Sequence, residues 1–289
     1  MKSNDKNQKK LTDAAIQAQA VRGAQAIAES AKGTNQLAAT ARQYANASHG
    51  NHLAGRVFED LHVTTANVDA ALKGLPQRFE TTASVGLPHD AADIVAKVGG
   101  KTVASAQAKL SGSSTTLVRS ISSPKYDGMQ KIVPSDKTVK VRHIAEELSK
   151  ASRRPDLSLK DTAKAVTDRV TYKGASSKPV SLAEAQQAAK QPKAVAKVME
   201  REAAQSAYGA AALVGGGMSG VVTAMQGGSA TDVAKSTIKG AARGIAYQAT
   251  TIGVSKIGTA AITQVASKAT ANAFSPSQKP SRPNQLRLR

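Results

Sequence analysis

The chain has 289 residues, enough for one or two domains with a real core, yet only 3 Phe, 5 Tyr and no Trp to fill it. It has no cysteine, which excludes a disulfide framework and any thiolate metal site. A net charge of +20 calls for a polyanionic partner, either nucleic acid or an anionic membrane surface.

The charge is unevenly spread. Residues 50–150 hold 10 of the 20 carboxylates, whereas residues 206–289 carry 9 basic residues and 1 acidic one. Residues 1–10 are polar and read as disordered, with no apolar run after their charges. That pattern predicts no secretory signal and a cytoplasmic protein. From Leu11 to about Ala47 the chain is rich in alanine, so helix propensity is high, with an interruption at Gly33-Thr-Asn. Its apolar stripe is weak, which predicts a solvated helical arm over residues 1–49, with self-association as the other reading.

Ser48-His49-Gly50-Asn51-His52 marks a turn, and His52–Leu72 reads as a helix with Leu53, Val57, Leu61 and Val68 among its apolar positions. Glu59 and His62 share a face at i, i+3. No third ligand follows at zinc-site spacing, so His62 reads as substrate-facing or structural, and Asn67 as a cap or a site residue.

Arg78–Val85 reads as a first strand, followed by the Gly86-Leu-Pro-His-Asp loop. Two short strands come next, Asp93–Val98 and Thr102–Lys109, joined at Gly99-Gly100, a pair suited to the positive φ angles of a tight hairpin turn. Folded about that turn, paired residue numbers sum to about 199 or 200, which sets Asp93 opposite Ala106 or Gln107. Gln107 and Lys109 are two apart and leave the same face of the sheet. A carboxylate, an amide and an ammonium therefore converge at one end of the hairpin. A carboxylate with a neighbouring oxygen ligand suits a hard cation such as Mg²⁺, and a lysine beside it can orient an attacking water and stabilise charge on a phosphate. The plainer reading of such residues is as solvated strand ends.

Asp93 followed, after thirteen residues, by Gln107-Ala108-Lys109 on a hairpin resembles the PD-(D/E)XK nuclease superfamily, in its Mrr-like branch where glutamine replaces the second acid. Gly55-Arg-Val-Phe-Glu59 supplies the glutamate that such nucleases commonly carry on a preceding helix. Ala92 stands where proline is usual. The resemblance covers roughly residues 50–145. It implies an α/β, restriction-endonuclease-like core, a mixed sheet flanked by helices. It further implies Mg²⁺ (or Mn²⁺) held with the help of Glu59, Asp93 and Gln107, Lys109 assisting the water, and DNA as substrate. The setting it implies is restriction, phage defence or a delivered toxin.

After Lys109, the hydroxyl-rich Ser111-Gly-Ser-Ser-Thr-Thr reads as a loop, able to contact phosphates or simply solvated. Ser123-Pro-Lys-Tyr-Asp-Gly128 has strong turn chemistry, and Lys125, Tyr126 and Asp127 are candidates for the rim of the site. Lys125, Arg119 and Lys101 are the expected nucleic-acid contacts. Met129–Val133 and Thr138–Val141 are short apolar pieces, and a helix through Ile144–Ala151 closes the nuclease-like segment at residue 150.

Residues 151–205 read as a helical connector, with capping-box patterns at Ser158-Leu-Lys-Asp161 and Ser181-Leu-Ala-Glu184 and breaks at Arg153-Arg-Pro155 and Gly174–Pro179. Pro192 starts a further helix to Ala207. Residues 206–274 change character: uncharged sequence runs from Ala203 to Asp232, and small residues repeat as Gly216 with Gly220 and Gly240 with Gly244, followed by Gly253 near Gly258. Such spacing lets helices approach closely. The stretch has the length of a membrane span but poor hydrophobicity, which favours an Ala/Gly-packed helical hairpin, a route to a homo-oligomer, over membrane insertion. Lys235, Lys239, Arg243 and Lys256 give the next helix a basic side. Ser275–Arg289, with three prolines and four basic residues, reads as a flexible tail. A second functional class stays open: a non-enzymatic interaction or membrane-associating protein whose Gly-rich helices mediate assembly.

Overall fold

In the computed structural model, residues 2–44, 50–87, 90–151, 157–225, 235–237 and 239–246 are described. The expectations for Ser48 and His49, Arg153-Arg-Pro155, Gly253, Lys256, Gly258 and Ser275–Arg289 lie outside them, as does the packing around Gly216 and Gly220.

The chain is mixed α/β. Two long helices come first, α1 (Lys2–Tyr44) and α2 (Gly50–Lys73), followed by β1 (Arg78–Thr81), β2 (Ile94–Val98) and β3 (Lys101–Ala108). A helix α3 (Ser114–Ile121), a strand β4 (Gln130–Ile132), helices α4 (Thr138–Ala151) and α5 (Leu157–Ala165) and a strand β5 (Val166–Thr167) complete a five-stranded sheet ordered β1-β2-β3-β4-β5. The first three strands are antiparallel neighbours, and β4 and β5 join in parallel. A small hairpin, β6 (Thr171–Tyr172) and β7 (Ala175–Ser176), leads to α6 (Leu182–Lys190) and α7 (Pro192–Met225).

The β2–β3 hairpin forms as the sequence predicts. Gly99 and Gly100 both have positive φ, 57° and 80°, which a non-glycine residue adopts only at a cost. Ile94 pairs with Ala106 and Ala96 with Ala104; after a bulge between Ala96 and Lys97, Lys97 pairs with Thr102 and Val98 with Lys101. The bulge inserts one residue and shifts the register sum from 200 to 199.

The sheet is covered on both faces. Ile94, Ala96, Ala106, Ala108 and Ile132 pack with Val57, Phe58 and Leu61 of α2 and with Ala185 and Ala188 of α6. A second cluster joins Leu117, Val118 and Ile121 of α3 to Val141 and Ala145 of α4 and to Val133 and Val166.

Several expectations are corrected. Residues 2–10 are helical, the first turns of α1, and Gly33-Thr-Asn does not interrupt that helix. The solvated arm is a core element: Ile16, Ala20, Ala26 and Leu37 are buried against α2 and α7. Alanine defines no strong stripe, but it lets backbones approach, and a Cβ at Gly33 would collide with the Thr64 side chain. The first strand stops at Thr81 and a 3₁₀ turn follows at Ala83–Val85. Ser113 caps α3 by accepting from the Thr116 N–H at 3.2 Å, so the hydroxyl-rich stretch is a helix start rather than a loop. Thr138–Val141 and Ile144–Ala151 form one helix, α4. Residues 151–205 are not purely helical, because β5 pairs with β4 and finishes the sheet. Ser158 lies inside α5 rather than at its cap and its hydroxyl donates to Asp127 Oδ2 at 3.2 Å, whereas Ser181 and Glu184 form the expected capping box. The helix from Pro192 continues past Ala207 to Met225.

Beyond the sheet, α1 and α7 run together with residues 239–246. Ala204, Tyr208, Ala212 and Ile245 pack with Ile27, and Arg243 pairs with Asp13 at 2.9 Å. A Cβ on Gly244 would meet the Ala211 backbone, so glycine sets the helix separation here. Among the described residues, no helix is long and apolar enough to cross a membrane.

Candidate active site at the open end of the hairpin

Asp93 begins the site. Its backbone N–H donates to the Ala106 carbonyl at 2.9 Å, which extends the β2–β3 ladder by one step. Its carboxylate Oδ2 then accepts the Ala108 backbone N–H at 3.1 Å and a bond from Gln107 Nε2. Lys109 continues β3 by donating its N–H to the Ile132 carbonyl at 3.0 Å, and its Nζ lies 3.5 Å from Asp93 Oδ2. The strand register thus delivers acid, amide and amine to one point.

Glu59 comes from α2. The amphipathic face that buries Val57, Phe58 and Leu61 against the sheet carries Glu59 in with them. Arg56, one turn earlier, donates to Glu59 Oε2 at 3.0 Å. Burial, reinforced by the Asp93 charge and opposed by Arg56, pushes the Glu59 carboxyl up to about 8. Asp93 is also raised by burial, against the pull of Lys109 and the Ala108 N–H. Two largely buried carboxyl groups thus stand close enough for the Asp93 charge to act on Glu59, with Lys109 and Arg56 as their cationic neighbours.

An open cleft of about 360 Å³ is lined by His52, Arg56, Glu59, Asp93, Ala108 and Lys109. Among the described residues, no group of three or more His, Cys, Asp or Glu side chains is placed to hold a metal. The oxygen donors at the cleft are the two carboxylates and the Ala108 carbonyl. Gln107, buried and not part of the cleft lining, directs its Nε2 to Asp93 and to that carbonyl at 3.3 Å, so its amide must turn over to offer Oε1 to a cation. Few, hard oxygen ligands suit Mg²⁺ or Mn²⁺, which retain waters, better than zinc. Glu59 and Asp93 line the same cleft, so a cation there would find both carboxyl groups within one site.

The other candidates lie elsewhere. His62 is fully buried on α2, Nδ1 2.8 Å from Ser177 Oγ and its ring edge-on to Phe58. It is structural, and the substrate-facing reading is withdrawn; burial lowers its pKa to about 3. Asn67 is a clamp: it donates to the Phe79 carbonyl at 2.9 Å and accepts the Phe79 N–H at 2.8 Å, tying α2 to β1. Tyr126 is buried core rather than rim. Lys125 is exposed, its Nζ 4.7 Å from the Tyr126 ring centre, and Arg119 is exposed in the last turn of α3. Lys101 sits at the hairpin tip, separated from Gln107 by roughly 20 Å of strand.

Two residues escaped the sequence reading. Arg56 could have been found from its i, i+3 spacing to Glu59. Lys131 is fully buried on β4, in register with Gln107, its Nζ 2.6 Å from Asp161 and 2.9 Å from Thr162 Oγ1, with Asp127 at 3.7 Å. A lone lysine inside an apolar run was its only signal.

No protein-family model matches the sequence, and neither a curated protein nor a solved structure matches the chain.

Proposed function

We propose that the chain is a metal-dependent endonuclease hydrolysing phosphodiester bonds, with DNA as substrate and a restriction-endonuclease-like core. The observation that carries this reading is the meeting of Asp93, Gln107 and Lys109 at the hairpin's open end, with Glu59 presented from α2. The mixed sheet flanked by helices is the architecture that the PD-(D/E)XK resemblance implies.

Glu59, Asp93 and Gln107 would hold the cation. When bound, Mg²⁺ or Mn²⁺ neutralises phosphate charge and acidifies a water. Lys109, about one-third exposed, faces the cleft and orients the attacking water while stabilising negative charge on the phosphoryl oxygens. Arg56 restrains Glu59 and offers a second cationic group on the cleft wall. In the reaction, the water oxygen bonds to phosphorus and gives up a proton to solvent, the bond from phosphorus to one ester oxygen breaks, and that leaving oxygen takes a proton from solvent. Dispersed basic residues hold the backbone, which makes binding salt-sensitive. A role in restriction, phage defence or as a toxin suits such an activity.

Calorimetric titration with Mn²⁺ tests the site. Wild type should bind the ion, Asp93→Asn should weaken binding at least about tenfold, and Gln107→Glu should preserve or strengthen it. Equal binding by wild type and Asp93→Asn would remove the cation from this site.

The second reading, a non-enzymatic interaction protein, draws on the close packing of α1, α7 and residues 239–246 through Gly244. DNA binding without cutting under any divalent metal would favour it.

A further inference from the structure

The cleft at the candidate active site continues past it. Arg56 and Glu59 also line a second, more enclosed cleft of about 540 Å³ between the C-terminal end of α1 and the β1 edge. Its α1 wall presents the exposed amides of Gln36 and Gln43 and the half-buried Tyr44. Its floor holds Asp60, a buried carboxylate fixed by the Thr40 hydroxyl at 2.7 Å.

We propose that this second cleft is a nucleobase subsite, which makes single-stranded or locally unpaired DNA the substrate of the adjoining site. The proposal rests on the nuclease reading and adds the substrate class to it.

Three observations support it. The volume falls within the roughly 300–1,000 Å³ of small-ligand pockets, so one unstacked nucleoside fits, whereas a paired base brings its partner and neighbours with it. Asp60 lines only this cleft and Lys109 only the neighbouring one, so the phosphate belongs on the Lys109 side and the base on the α1 side. The donors and acceptors of Gln36, Gln43 and Asp60 can meet a base edge, and the Tyr44 ring offers a stacking face.

The test measures binding of the full chain, in chelator, to a labelled single-stranded oligodeoxynucleotide of about 12 residues, to its abasic counterpart and to the duplex. The base-bearing single strand should bind at least about fivefold tighter than either alternative. Gln36→Ala/Gln43→Ala should lose most of that margin. Both positions are exposed on a helix, where alanine is well tolerated, and circular dichroism confirms that the variant folds. Because the assay runs in chelator, its outcome does not depend on cation binding, so failure of the cation site, read by Mn²⁺ titration, and failure of the subsite are told apart. Equal affinity for abasic and base-bearing strands, or an undiminished margin in the double variant, overturns the proposal. Displacement of the oligonucleotide by an equal concentration of free thymidine monophosphate would also overturn it, by making the cleft a mononucleotide site.

Discussion

The Asp93 carboxylate accepts the backbone N–H of Ala108 at 3.1 Å, from the strand that carries Gln107 and Lys109. One side chain therefore fixes the end of the hairpin and supplies the central acid of the site. Asp93→Ala should destabilise the chain by about 1–3 kcal/mol, because a buried donor loses its partner. Asp93→Asn, which keeps an acceptor oxygen, should cost less. Urea denaturation of the two variants makes the comparison.

The Asn67 clamp gives a purely structural control. Asn67→Ala removes both bonds to Phe79 and leaves its buried N–H and C=O unpaired. A loss of roughly 2–4 kcal/mol is expected, with Mn²⁺ affinity unchanged in the folded fraction. A variant as stable as wild type would contradict the clamp.

Glu59 gives the chain a pH signature. Its folded-state carboxyl is raised to about 8, from an ordinary value of 4.5. Between those values the folded state keeps a proton that the unfolded chain has released. Stability therefore falls as pH rises through that window, then levels off, by up to a few kcal/mol from this group. Glu59→Gln should flatten that fall in thermal melts between pH 5 and 8. An unchanged slope would show that Glu59 ionises normally.

Gly244 tests the packing of the helical layer. Gly244→Leu would place a side chain against the Ala211 backbone, so residues 239–246 should separate from α7 at a cost of about 1–3 kcal/mol. Protection of the Tyr208 and Ile245 amides from hydrogen exchange should drop, while the hairpin site is untouched. Full protection in the variant would refute this contact.

The hairpin was legible because it depends on local rules: two glycines for the turn and a side-chain period of two. Those rules placed Asp93, Gln107 and Lys109 together, and the spacing to Glu59 needed only a helix in the right position. The burial of α1 was not legible, since alanine contributes little to a hydrophobic stripe and its close packing depends on Gly33 meeting Thr64. Strand β5 is two residues long, too short for any periodicity, and only its pairing with β4 reveals it. His62 shared a helix face with Glu59 by spacing, but Ser177, more than a hundred residues later, decides its role.

The most direct measurement is cutting of DNA by purified wild type, Lys109→Ala and Asp93→Asn in Mg²⁺ or Mn²⁺. Wild type should cut, and both variants should lose activity by at least about a hundredfold while DNA binding, spread over 40 basic residues, changes little. Cutting by both variants at the wild-type rate would contradict the assignment of the site to the hairpin.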